Sequence, residues 1–289
     1  MADSADIREQ QGWATAKTLA EALPYIQRYD REIVVIKYGG HAMGEEHLAK
    51  LFAADAVLLK LLGLHPVVVH GGGPQVTAHI EKLGGKATFV DGYRVTTAED
   101  LEVVRMVLAG VINKDIVALI NRHGTLAAGL SGEDGALVRV RKKIGSTDLG
   151  FVGDVEQVNP RIITDLLRDF IPVIATLGVD ENGQAYNVNA DEVAAAIAEA
   201  LGAEKLVFLT NVNGIMDASG SLLTQVSADG VEHLRSDGVL TAGMLPKVDA
   251  ALRAIKGGVP RVTILDGRAE HALLLEIFTD QGVGTMVTA

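Results

Sequence analysis

The sequence predicts an α/β protein, an αβα sandwich in which helices cover both faces of a mainly parallel sheet. Three observations carry that prediction. Apolar runs rich in valine and isoleucine recur at 33–36, 66–69, 171–174, 206–209 and 261–265, and their length and β-branching mark them as strands. Stretches with apolar residues at helical spacing lie between them, as in a parallel sheet built from crossovers. Glycines or small polar residues follow several of the runs directly, and strand carboxyl ends are where open α/β sheets bind ligands.

With 289 residues, 48% apolar and 22% charged, the chain can bury a sizeable core. Lys+Arg 26 against Asp+Glu 37 leaves −11, which argues against nucleic acid or a membrane surface as the main partner. A site for anionic substrates must then be a local cationic pocket in a negative molecule. Cysteine is absent, so there is no disulfide, no thiolate metal site and no thiol nucleophile. No apolar run has the length of a membrane span, and the first residues lack the features of a signal peptide. A cytoplasmic protein is expected.

In chain order, residues 1–10 are polar and expected to be mobile. Leu19, Leu23 and Ile26 predict a helix over 14–29, with Trp13 just before it and Pro24 kinking or restarting it. The first strand ends in Lys37-Tyr38-Gly39-Gly40, a point charge beside backbone that a ligand can approach closely. A cation with bare N–H groups suits an anion, most simply a phosphate; a surface lysine beside a loose turn is the plainer alternative. A helix over 45–62 and a strand to His70 lead into Gly71-Gly72-Gly73-Pro74-Gln75. Pro74 suits the first turn of the next helix, to about residue 83, so these N–H groups lie at a positive dipole end.

Residues 89–96 predict a hairpin, and Thr96 with Glu99 a capping box for a helix to about Asn121. Short strands then flank the loop 131–135, followed by a helix over 160–169 and the strand 171–175. Tyr186-Asn187-Val188-Asn189-Ala190-Asp191 leads into an alanine-rich helix, 192–201. The strand 205–210 opens into Asn211-Val212-Asn213-Gly214. A helix to about Gly257, a strand from Arg261, a helix over 271–278 and a last strand over 282–287 complete the chain. A lobe boundary is expected between 175 and 182.

Two familiar nucleotide signatures are missing. Gly85-Lys86-Ala87 lacks the upstream glycine and the hydroxyl of a P-loop. Gly71-Gly72-Gly73-Pro74-Gln75-Val76 has valine where a dinucleotide fingerprint needs glycine or alanine, which disfavours hydride transfer. What remains is two glycine loops after strands, Lys37, Lys247, Arg94 and an Asn/Asp cluster. That set fits phosphoryl transfer, in which the protein mainly positions reactants and neutralises phosphate charge.

The motifs Lys37-Tyr38-Gly39-Gly40, His70-Gly71-Gly72-Gly73-Pro74-Gln75, Asp91-Gly92-Tyr93-Arg94-Val95-Thr96, Asn187-Val188-Asn189-Ala190-Asp191 and Gly243-Met244-Leu245-Pro246-Lys247 closely resemble those of the N-acetylglutamate kinases, in the amino acid kinase family. The resemblance runs from about Thr18 to the end of the chain. It implies one continuous amino acid kinase domain after an extension over 1–29. Residues 30–176 would bind the acyl acceptor and 177–289 would bind ATP. The implied reaction transfers the ATP γ-phosphate to the side-chain carboxylate of N-acetyl-L-glutamate, an early step of arginine biosynthesis.

By the same resemblance, Lys37 and Lys247 flank the moving phosphoryl group and Asp191 holds the two ammonium groups. Gly40 and Gly72 direct N–H groups at its oxygens. Arg94 would grip the α-carboxylate, with Gly72, Gly73, Asn187 and Asn189 around the same substrate. Lys37, Gly39, Thr210, Asn211, Val212 and Lys247 would serve the nucleotide. Mg²⁺ is expected on the phosphates, with no dedicated protein metal site.

Arginine-inhibited members carry a kinked helix before the first strand and assemble through it as hexamers, trimers of dimers. Residues 13–29 match that description. Glu276 and Gly282 match the residues those members use for L-arginine; where some have a histidine, this chain has Thr263. The rival readings are another acyl-phosphate-forming kinase, acting on aspartate, glutamate or carbamate, and a non-catalytic arginine-sensing module. A free amino substrate needs an acidic partner for its ammonium group, whereas an acetylated one needs an apolar niche.

Overall fold

The structure, a computed structural model, describes residues 4–39, 43–241, 243–279 and 282–289. Helix α1 (Ser4–Tyr29) precedes β1 (Ile33–Tyr38), α2 (Glu46–Leu61), β2 (His65–His70) and α3 (Gly73–Lys82). The hairpin β3 (Thr88–Val90) and β4 (Tyr93–Val95) is followed by α4 (Ala98–Arg105), a π-helical stretch (Met106–Ile112) and α5 (Asn113–Asn121). Next come β5 (Ala127–Ser131), β6 (Val138–Lys142), β7 (Val152–Val158), α6 (Arg161–Leu167), β8 (Ile171–Ala175), β9 (Leu177–Val179) and β10 (Ala185–Val188). The remainder is α7 (Ala190–Leu201), β11 (Lys205–Thr210), β12 (Gln225–Ser227), α8 (Ala228–Ser236), α9 (Leu245–Lys256), β13 (Arg261–Asp266), α10 (Ala272–Phe278) and β14 (Gly284–Thr288).

Eight strands form the main sheet in the order β12-β14-β13-β11-β1-β2-β8-β5, and only the β13–β14 pair is antiparallel. The order runs one way from β1 through β2 and the other way through β11, so the carboxyl end of β1 borders a topological switch point. Alternate residues of the central strands feed two cores. Val35, Val67, Val69, Leu206 and Phe208 pack with Ile197 of α7 and Val248 of α9. Val34, Ile36, Val68, Val207 and Leu209 pack with Phe52 of α2 and Ile116 of α5. Burial on both faces explains why these strands read as unbroken apolar runs.

Four features differ from expectation. Helix α1 reaches back to Ser4 and takes in Trp13, because Ala5, Arg8, Glu9 and Gln10 are good helix formers; Pro24 stays inside this one helix. The capping box lies one residue later, at Thr97 and Asp100. Thr96 is buried and already engaged, donating to the Arg94 carbonyl at 3.0 Å and accepting from Asn187 Nδ2 at 3.2 Å. The single helix expected up to Asn121 contains the π-helical stretch, where Val107, Gly110, Val111 and Ile112 are poor α formers. Finally, β6, β7, β9 and β10 close a small barrel beside the sheet, and β12 and α8 were not foreseen.

Candidate active site

Lys37 and Lys247 converge on one carboxylate. Lys37 Nζ lies 3.0 Å from Asp191 Oδ1, and Lys247 Nζ lies 2.9 Å from Oδ2. Each group is placed by a different element. Lys37 stands near the end of β1, in register with Phe208 of β11 and Val69 of β2. Lys247 stands in the first turn of α9, behind Pro246. Asp191 belongs to the first turn of α7, whose cap is Asn189: its Oδ1 accepts from the Asp191 N–H at 2.8 Å and the Glu192 N–H at 3.3 Å. Capping is thus done by Asn189, which leaves the Asp191 side chain to the lysines.

Burial by itself would raise the Asp191 pKa, but the Lys37 and Lys247 ammonium groups overcome it and hold the carboxyl at about 2. The group is ionised at neutral pH and is no proton acceptor. Two ammonium groups against one carboxylate leave 2 − 1 = +1 at the cluster, a local attraction for an anion within a negative chain.

A cavity of about 220 Å³ opens beside the cluster, lined by Lys37, Gly39, the three glycines after β2, Arg94, Asn187, Asn189 and Asp191. Val76, Val104, Leu108 and Phe89 form its apolar wall. A Cβ at Gly72 would fall 2.3 Å from Ile112 Cδ1 and 2.7 Å from Leu108 Cδ2, so a side chain there would have to displace both. Arg94, on the hairpin, is buried; its Nη2 donates to the Gly73 carbonyl and to Thr77 Oγ1, each at 2.8 Å. Its guanidinium lies 4.7 Å from the Phe89 ring centre, and its Nη1 is buried with no partner among the described residues. A buried cationic donor that borders a cavity suits an anionic ligand. Lys247 lines a larger neighbouring cavity, of about 1040 Å³, that shares Asn189 and Asp191 with the first.

The hairpin is tied to α7. Tyr93 donates its hydroxyl proton to Glu192 Oε1 at 2.7 Å, and Lys143 Nζ lies 4.3 Å from the Tyr93 ring centre. These contacts gave no sequence signal, because the partners are far apart in the chain and each looks like a surface residue.

The other expected residues lie elsewhere. Gly40 falls outside the described residues. Thr210, Asn211 and Val212 line neither cavity; they form a turn at the end of β11, where Thr210 Oγ1 accepts from the Val212 N–H at 2.9 Å. The Tyr38–Leu209 register sets this turn beside the carboxyl end of β1. Glu276 and Gly282 line a separate cavity of about 270 Å³ at the opposite end of the sheet, with Tyr25, Arg28 and Tyr29 of α1. There Glu276 accepts from Thr263 Oγ1 at 2.8 Å and pairs with Lys205 Nζ at 2.5 Å. In the sequence Lys205 figured only as the first residue of the strand 205–210.

The model of the amino acid kinase family matches residues 32–266. The acetylglutamate kinase of Caulobacter sp. strain K31 is 52% identical over 301 residues, covering 98% of this chain and 99% of that one. That of Bordetella avium is 53% identical over 283 residues, covering 95% and 94%. The chain belongs to the amino acid kinase family, and within it to the acetylglutamate kinases. It is therefore a phosphotransferase that uses ATP to phosphorylate the side-chain carboxylate of N-acetylglutamate in arginine biosynthesis.

Among solved structures, an N-acetylglutamate synthase from Neisseria gonorrhoeae in complex with coenzyme A and N-acetyl-glutamate superposes with a TM-score of 0.85 at 27% identity, over 95% of this chain and 63% of that one. A carbamate kinase from Giardia lamblia, bound to AMP-PNP, shares the fold at 16% identity, with a TM-score of 0.64.

Proposed function

We propose that in this kinase the phosphoryl group passes between Lys37 and Lys247 while Asp191 fixes the spacing of the two ammonium groups. The observation that carries this reading is the bridged carboxylate, which gathers one lysine from β1 and one from α9. An acceptor carboxylate with a pKa of about 4 is already ionised at neutral pH, so no general base is needed. The difficulty is to bring that anion against a polyphosphate, and two fixed cations stabilise the charge on the group in transit. The Gly72 N–H adds a third donor.

Arg94 grips the α-carboxylate through its open Nη1, with Gly73, Asn187 and Asn189 around the substrate. The apolar wall takes the acetyl group. Asp191 is the only acidic residue lining this cavity among the described residues, and both its oxygens face lysines. A free ammonium group would find no partner there, which favours the acetylated amino acid over glutamate or aspartate. The nucleotide lies beside Thr210-Asn211-Val212 with Mg²⁺ on its phosphates, so residues 177–289 serve ATP and 30–176 supply most of the acceptor site.

L-Arginine acts as a feedback inhibitor at the cavity of Glu276 and Gly282. Two observations support this reading: α1 and the carboxyl-terminal segment meet at that cavity, and the Neisseria synthase is also described in complex with L-arginine. Trp13, Leu19 and Leu23 on α1 are exposed, as a helix that joins subunits into a hexamer requires. No described helix is long and apolar enough to cross a membrane. An ADP-release assay with N-acetylglutamate, glutamate, aspartate and carbamate, with and without millimolar arginine, tests both readings. Turnover with N-acetylglutamate alone, inhibited by arginine until residues 1–28 are deleted, is the expected result. Equal turnover of glutamate overturns the acetyl niche, and indifference to arginine overturns the regulatory site.

A further inference from the structure

His70 ends β2 and leads straight into the three glycines, yet it is wholly buried and does not line the cavity. Its ring is held on both sides. Nδ1 lies 3.0 Å from the Gly71 carbonyl oxygen, and Nε2 lies 3.2 Å from Asn113 Nδ2. A carbonyl can only accept, so Nδ1 carries the proton, and the unprotonated Nε2 faces the Asn113 amide, whose two N–H donors it shares with two carbonyls. Burial lowers the His70 pKa to about 4, so the ring is neutral at neutral pH. Asn113 is itself fixed in orientation: Nδ2 lies 2.9 Å from the Val173 carbonyl and 3.1 Å from that of Leu130, and Oδ1 accepts from Lys114 Nζ at 3.0 Å. The chain makes room for this amide at Gly129, where a Cβ would fall 2.0 Å from Asn113 Oδ1.

The clamp sets the glycine loop. The Gly71 N–H donates to the Tyr38 carbonyl at 3.0 Å, and its carbonyl is taken by His70, so both its polar groups are engaged. In a planar trans peptide the next N–H points away from the carbonyl, and there are no cis peptide bonds among the described residues. The Gly72 N–H is therefore turned away from His70, and Gly72 lines the cavity together with Lys37 and Asp191.

We propose that His70 is a positioning residue: its Nδ1–H, kept on that nitrogen by Asn113, holds the Gly71 carbonyl so that the Gly72 N–H faces the phosphoryl group. The inference rests on the assignment of Lys37 and Gly72 to that group. Steady-state kinetics and thermal unfolding of His70→Asn, His70→Gln and His70→Leu test it. Asparagine can place an amide N–H where Nδ1 was, glutamine reaches instead towards Asn113, and leucine donates nothing.

Leucine and glutamine are expected to lower kcat about 10²-fold, the loss typical of one misplaced donor. Both KM values should stay within about threefold, because the loss falls on the transition state. Asparagine should restore most of the turnover, at a melting temperature no higher than that of glutamine. Wild-type kcat in the glutamine or leucine variant overturns the proposal, as does equal loss in asparagine and glutamine. Lys37→Met, assayed beside them, separates the two levels: if it turns over normally, the site assignment itself fails. If it is inactive while His70→Gln is active, only the role of His70 falls.

Discussion

Asp191 and Glu276 are buried to the same degree and sit at opposite ends of one sheet, yet they are neutralised differently. Asp191 meets two lysines, and the side-chain exposures in its pair with Lys37 are 7% and 10%. Glu276 meets one lysine and a threonine hydroxyl, at 5% exposure against 4% for Lys205. Lys37 stands near the carboxyl end of β1, whereas Lys205 pairs with Val34 at the amino end. Both clusters carry a desolvation cost, so burial of an ion pair does not by itself mark chemistry. The surplus does. The Asp191 cluster retains a positive charge at the carboxyl end of the sheet, as the proposed phosphoryl site requires, and the Glu276 pair is balanced.

The largest expected effect separates the two clusters directly. Lys37→Met should lower kcat about 10²–10³-fold, whereas Lys205→Met should leave kcat nearly unchanged and destabilise the fold by about 3–5 kcal/mol, as an unpaired buried carboxylate does. ADP release and urea unfolding of both variants check this, and the contrast breaks if Lys205→Met loses turnover while Lys37→Met keeps it. Arg94→Lys should come next. Loss of the open Nη1 donors raises KM for N-acetylglutamate about 10–100-fold, the equivalent of one or two charge-assisted hydrogen bonds.

The smallest effect concerns pH. The Asp191 pKa falls from 3.8 to about 2 on folding, so the bridge adds stability that is fully present above pH about 4 and is lost as pH drops through about 2. Over that window the wild type should lose roughly 2 kcal/mol more than Asp191→Asn in urea unfolding. A gap that does not narrow on acidification removes the bridge from the account.

Much of the frame was legible in the residues. Strands β1, β2 and β11 are buried on both faces, so their apolar runs are unbroken, and glycines mark where β1 and β2 open into loops. The meeting of Lys37, Asp191 and Lys247 was not legible as a pattern, since nothing in spacing brings such distant positions together; the motif resemblance supplied it. The barrel was missed because β9 and β10 span only three and four residues. Asn113 passed for an ordinary helix residue, because a buried amide that bridges three strands leaves no periodic trace. The capping box was displaced because Thr96 had been claimed by Asn187, a tertiary contact that no local rule foresees.

The bond from Tyr93 to Glu192 joins the hairpin proposed to hold the acceptor to the helix turn that carries Asp191. On that reading, recognition and alignment are geared together. A poor acceptor that leaves the hairpin slack also leaves the ammonium pair out of true, so this enzyme should reject wrong substrates by reacting with them slowly as well as by holding them weakly.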